Sequence, residues 1–126
     1  MQKRPLLTET VKSASDILEN RFVTYAGKQA ATAGEIVQGV SDTSIEAGGY
    51  VAVDVIGTTI VDVGGTFVKG DDLATDANGK AVKATSGQNV CARALHDAVS
   101  GQKAEVLLIH QAAAASSTPA TPPSGD

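Results

Sequence analysis

Between residues 21 and 110 the chain alternates short runs of β-branched and aromatic side chains with single or paired glycines. Apolar runs this short, broken by turn residues at close intervals, predict an all-β sandwich or barrel of short antiparallel strands. The candidate strands are 22–25, 35–40, 50–56, 59–63, 66–69, 81–84, 90–95 and 104–110. In the third run Val51, Val53 and Val55 alternate with Ala52 and Asp54. That period predicts one buried and one wet face, and it puts Asp54 and, in the next run, Asp62 on the wet side. Asn78-Gly79 reads as a hairpin turn, because both residues tolerate positive φ. Gly57-Thr58-Thr59 and Gly64-Gly65 read as further tight turns.

The first twenty residues leave two readings open. Leu7, Val11, Ala14 and Leu18 recur at roughly helical spacing, and Asp16 followed by Glu19 resembles a capping box. Thr8, Thr10, Ser13 and Ser15 are poor helix formers, which limits any helix to a short one. The segment is either a short N-terminal helix folded on its own body or an extended arm. In the second case Lys3, Arg4, Leu6, Leu7, Ile17 and Leu18 are the residues that would contact another chain. At the other end, residues 111–126 are rich in Ala, Ser, Thr and Pro, with no large apolar side chain after Ile109. Such a tail cannot offset its ordering entropy by burial and is expected to be disordered. The organisation expected is therefore arm or helix over 1–20, β-domain over 21–110, and tail over 111–126.

Laying residues 31–57 over 84–110 without a gap pairs Ala31 with Ala84, Thr32 with Thr85, Gly34 with Gly87 and Val37 with Val90. Further along it pairs Gly48 with Gly101, Val53 with Val106 and Ile56 with Ile109. This reads as one unit used twice: a turn at A-T-x-G, a strand, a glycine-containing loop, and a second apolar strand. Two such units give a fold with an internal pseudo-twofold repeat.

Composition narrows the function classes. Hydrophobic residues make up 42% of the chain and charged residues 19%, as in a globular protein. The net charge is −4, and the longest basic run is Lys3-Arg4, so the basic stripe that nucleic-acid binding needs is missing. The aromatic side chains are Phe22, Tyr25, Tyr50 and Phe67, with no Trp, too few for a sugar-binding platform. No run approaches the ~18 apolar residues of a membrane-spanning helix, and the N-terminus lacks a secretory apolar core. Synthesis in the cytoplasm is expected.

Candidate chemistry is sparse. Cys91, the single cysteine, reads as a small buried hydrophobe. The acidic stretch 70–79, with Asp71, Asp72 and Asp76, lacks the alternating ligands and terminal Glu of a calcium loop and reads as a solvated turn. His96 and His110 with Cys91 do not make a zinc pattern and read as rim residues. His96-Asp97 has no serine elbow to serve. The Gly64-Gly65 loop lacks the Gly-Lys-Ser/Thr ending of a phosphate loop. No catalytic, cofactor or metal site is expected, and the chain is not read as an enzyme.

The segment Gly70-Asp71-Asp72-Leu73-Ala74-Thr75-Asp76-Ala77-Asn78-Gly79-Lys80-Ala81-Val82-Lys83-Ala84-Thr85-Ser86-Gly87 resembles the G-x-x-(V/L)-x-x-D-x-x-G-K-A-V-x-A-T-x-G segment of small phage capsid decoration, or cement, proteins. The following strand with Val90-Cys91-Ala92-Arg93-Ala94-Leu95, and upstream Val37-Gln38-Gly39-Val40-Ser41-Asp42, are similar to the same family. The resemblance implies a β-rich subunit, trimeric more often than dimeric, on the exterior of the virion. There it would bind the major capsid protein, bridge its neighbouring copies and stabilise the head, without cofactor, nucleic acid or membrane. The alternative is a biotinyl- or lipoyl-type carrier domain, or another β-sandwich binding module. Lys80 follows the Asn78-Gly79 turn as a carrier lysine would, but the flanking carrier motif is absent.

Overall fold

A computed structural model describes residues 3–110. The tail at 111–126, expected to be disordered, lies outside the described residues. The elements are β1 (Arg4–Lys12), β2 (Phe22–Val23), β3 (Gly39–Ser41), β4 (Tyr50–Asp62), β5 (Asp72–Thr75), β6 (Ala81–Lys83), β7 (Ala92–Ala94) and β8 (Lys103–Leu108). All strand pairs are antiparallel, in the order β2-β3-β4-β8-β7-β5-β6, with β1 added to β4. A parallel bridge between Val63 and Ala81 draws the sheet nearly closed into a barrel. The fold is all-β, as the glycine-punctuated pattern predicts.

Expectations change in detail, as where Asp72–Thr75, inside the stretch read as a solvated turn, forms the strand β5; three changes bear on the surface below. The N-terminal segment contains no helix; residues 4–12 are a strand along β4, and no helix occurs among the described residues. The stripe of Leu7 and Val11 finds no apolar surface to cover as a helix, whereas β4 offers a free row of backbone donors and acceptors to β-branched Thr8, Thr10 and Val11. Second, runs 50–56 and 59–63 fuse into the single strand β4. Gly57 makes no tight turn there; it sits at φ +107 where the β1–β4 register slips, and a Cβ on it would stand 2.4 Å from the Arg4 carbonyl oxygen. Glycine at this point permits a bulge and a close backbone approach. Third, only Phe67 of run 66–69 pairs, in a bridge with Ala98.

The repeat seen in the sequence extends to the strand register. In the first unit Thr8, Glu9, Thr10, Val11 and Lys12 pair with Asp54, Val53, Ala52, Val51 and Tyr50. In the second, Thr58, Thr59, Ile60, Val61 and Asp62 pair in the same order with Leu107, Val106, Glu105, Ala104 and Lys103. Phe22 opposite Val40 is matched by Asp72 opposite Arg93, and the bridge Ile17–Ile45 by Phe67–Ala98. Left-handed residues recur in step as well, Asn20 (φ 61) with Gly70 (φ 92) and Gly48 with Gly101, both at φ 91. β4 belongs to both units: its first half closes the first, and its second half opens the second.

The two units contribute unequally to the core. A large cluster holds Phe67, Leu73, Ala92, Val61 and Val106 of the second unit together with Phe22, Ala30, Val37 and Val40 of the first. A small cluster of Ile17, Val23, Val51 and Val53 belongs to the first unit alone, with Val11, Ile45 and Val55 partly buried against it. Phe22 and Val23 are both fully buried on opposite sides of β2, so the β2–β3 layer is covered on both faces.

Candidate interaction surface

Residues 53 and 54 of β4 pair with β1 on one edge and β3 on the other. Thr58 likewise pairs with Arg4 and with Leu107. Among the described residues β1 is therefore the outermost strand, and its only strand partner is β4. Its outer edge, nine residues long, pairs with no other described strand, and an edge of that kind presents free backbone groups. Every residue from Arg4 to Thr10 is exposed, so neither face of this strand is covered along that length. Leu6 is 80% exposed, and Leu7, opposite Ile56, is 39% exposed.

What fastens so exposed a strand to the body is polar. The Asp54 side chain is almost fully buried, a correction to its expected wet position. Thr8 Oγ1 donates to it at 3.1 Å, Thr59 Oγ1 at 2.8 Å and Lys3 Nζ at 3.2 Å. Lys3 also forms an ion pair with Asp42. Burial alone pulls the Lys3 pKa down, but the hydrogen bonds and charges of Asp42 and Asp54 outweigh it and hold the ammonium above its usual value. A buried carboxylate with these partners ties the arm to the barrel, and the strand alternation around it concealed that role.

The six arm residues do not converge. Lys3, Arg4, Leu6 and Leu7 stand at the start of β1, beside Thr58 and Asp54. Ile17 and Leu18 follow its far end, and the two ends of the strand are about 27 Å apart at the usual rise per residue. Ile17 is buried in the small cluster, whereas Leu18 is 51% exposed. Both line a cavity of about 580 Å³ with Asp16, Ile45, Glu46 and Gly49.

The titratable groups singled out in the sequence are engaged locally. Asp76 accepts from the amides of Asn78 and Lys80, Asp71 from that of Val68, and Asp72 pairs with Arg93. His96 Nε2 accepts the Glu105 amide, which leaves Nδ1 to donate to the Asp97 carbonyl. His110 Nε2 lies 2.7 Å from the Val55 carbonyl oxygen. Desolvation pushes the Cys91 thiol up to about 12, so it stays protonated at neutral pH. Lys80 is half-buried just past the turn, with its Cβ near Gly64, unlike a carrier lysine presented at a hairpin tip.

The chain is a small duplicated barrel that leaves one strand, β1, exposed at an edge of the described sheet. Its lineage is specific: the profile of the phage cement protein family matches residues 1–110, and the chain belongs to that family. Among solved structures it is similar to the head fiber gp8.5 N base of bacteriophage phi29, with a TM-score of 0.68 and 20% identity over 84% of this chain and 96% of that one. That likeness is one of fold. No curated protein sequence matches the chain. It is thus a phage structural protein of the cement family.

Proposed function

We propose that this protein binds the outer surface of a phage head and stabilises contacts between neighbouring major capsid protein subunits. The observation that carries this reading is β1, a long strand exposed on both faces whose outer edge is unpaired among the described residues, in a chain of the cement family. Such an edge can add a strand of a partner by main-chain hydrogen bonds, while side chains such as Leu6 and Leu7 supply apolar contact. Lys3, held by Asp42 and Asp54, fixes the start of the arm, and Arg4 and Leu18 present exposed groups at its two ends. The buried Ile17 supports this surface from below. Many copies on a lattice multiply a modest single interface. In this reading the protein is made in the host cytoplasm, assembles as a homo-oligomer with a trimer favoured over a dimer, and ends on the capsid exterior. It has no catalytic role and needs neither nucleic acid nor membrane.

The test is binding of the purified protein to expanded, DNA-free heads, with deletion of residues 1–12 as the comparison. Deletion should stop at Lys12, because Ser13 and Ile17 beyond it are buried. The intact chain should saturate a fixed number of sites, and the shortened one should lose at least tenfold in affinity while keeping its β circular-dichroism spectrum. Failure of the intact chain to bind at any salt concentration would overturn the proposal, and equal binding by both would remove β1 from it.

A further inference from the structure

The two units, compared position by position, differ in a face that is fully covered in one and only partly covered in the other. In the second unit Val61, Ala98 and Leu108 are 0%, 4% and 8% exposed. Their register counterparts in the first unit, Val11, Ile45 and Val55, are only partly buried. The second unit has a cover that the first lacks, because Phe22 and Val40 of the β2–β3 layer join its core from outside. Gly34 of the first unit also donates its amide to the Thr75 carbonyl of the second, and Phe22 donates to Gly79. The cover is thus extended chain that presents apolar side chains.

We infer that the Val11–Ile45–Val55 face of the first unit receives an extended apolar segment of another protein, seated as Phe22 and Val40 are seated on the second unit. A second copy of this chain, seated through the equivalent positions of its second unit, is the wrong occupant. The positions that correspond to Phe22 and Val40 in the second unit are Asp72 and Arg93, ion-paired with side chains 39% and 47% exposed. Sinking that pair into an apolar face would desolvate two charges, a penalty their mutual attraction offsets poorly. The occupant is therefore a chain that carries an apolar strand. On the reading proposed above, that chain is the major capsid protein, and the face lies on the same strands as the arm, β1 and β4.

The test uses the full chain carrying a photo-crosslinking residue at position 55, loaded on DNA-free heads, with a second variant labelled at Val99. Val99 is exposed on the second unit and serves as the control. Crosslinks to the capsid protein from position 55, and few from 99, are expected. In parallel, Ile45→Asp and Val55→Asp should each weaken head binding at least tenfold, while Val99→Asp binds as the native chain does. Crosslinks from position 55 that join only copies of this chain would overturn the inference, as would undiminished binding by Ile45→Asp and Val55→Asp. If the aspartate variants lose their β spectrum, the crosslinking result alone decides. If the native chain fails to bind heads, the functional reading falls; if it binds but position 55 crosslinks no better than position 99, only the inferred face falls.

Discussion

β1 and the second half of β4 hold the same place in the two units and pair with their neighbours in the same register, yet they live in different surroundings. From Thr58 to Asp62 the β4 residues alternate half-buried and buried, while from Thr8 to Lys12 β1 is exposed except at half-buried Val11. The side chains follow: Thr59 faces a buried carboxylate where β1 carries Glu9, and fully buried Val61 corresponds to half-buried Val11. Backbone pairing alone can hold a strand in place, but only a covering layer makes it core. The unit without that layer keeps its first strand exposed.

The largest test of this inequality is a matched pair of truncations. Phe22→Ala should cost about 3–5 kcal/mol, the range for a large aromatic removed from a core. Asp72→Ala at the corresponding half-exposed position, where a surface ion pair with Arg93 is lost, should cost about 1 kcal/mol or less. Chemical denaturation reads both, and similar losses would mean that the two faces are equally buried. Next comes the bulge: Gly57→Ala should cost about 1–3 kcal/mol, since φ is +107 and the Arg4 carbonyl stands in the way. Gly48→Ala, at φ +91 with nothing within 4 Å of the added carbon, should cost about 1 kcal/mol from backbone strain alone.

Asp54 and Leu107 are also counterparts. Asp54→Ala should cost about 1–3 kcal/mol, because it leaves the buried Thr59 hydroxyl without its acceptor and Lys3 with Asp42 alone. Leu107→Ala, partly exposed, should cost less than about 1 kcal/mol. Equal melting temperatures for the two variants would mean that the carboxylate is not what ties the arm down. The smallest effect is one of pH. Burial pushes the Asp62 pKa up, but Lys103 and Arg21 outweigh it and hold the carboxyl below its usual value. Its stabilisation is therefore present above the unfolded value near 3.9 and lost as pH falls through the lower folded one. Asp62→Asn should flatten the acid limb of stability against pH, whereas changing its counterpart Lys12 should leave that limb as it is.

Much of the scaffold was legible because repeated glycines mark repeated geometry. Gly34 with Gly87 and Gly48 with Gly101 fall at equivalent left-handed turns, and the Asn78-Gly79 hairpin joins β5 to β6. The strand at β1 was not legible, because Leu7 and Val11 fit a helical stripe as well as a strand, and its partners, from Tyr50 to Thr58, lie far along the chain. Asp54 was misplaced because alternation gives the face a side chain is on, not whether side chains from elsewhere, here Lys3, Thr8 and Thr59, close over it. The inequality between units was hidden as well. Phe22 and Asp72 fall outside the gapless overlay, since the connection from β5 to β7 is longer than that from β2 to β3.

β4 is also a mechanical element. It runs unbroken through both units, thirteen residues from Tyr50 to Asp62, with β1 laid along its first nine positions and β8 along its last five. A pull on β1 along the strand axis loads that whole ladder in parallel, so many hydrogen bonds must fail together. A pull across the strand opens the ladder one pair at a time. A lattice that swells and strains these arms lengthwise would meet the strong direction of the molecule, and the continuous strand would pass the load from one unit to the other.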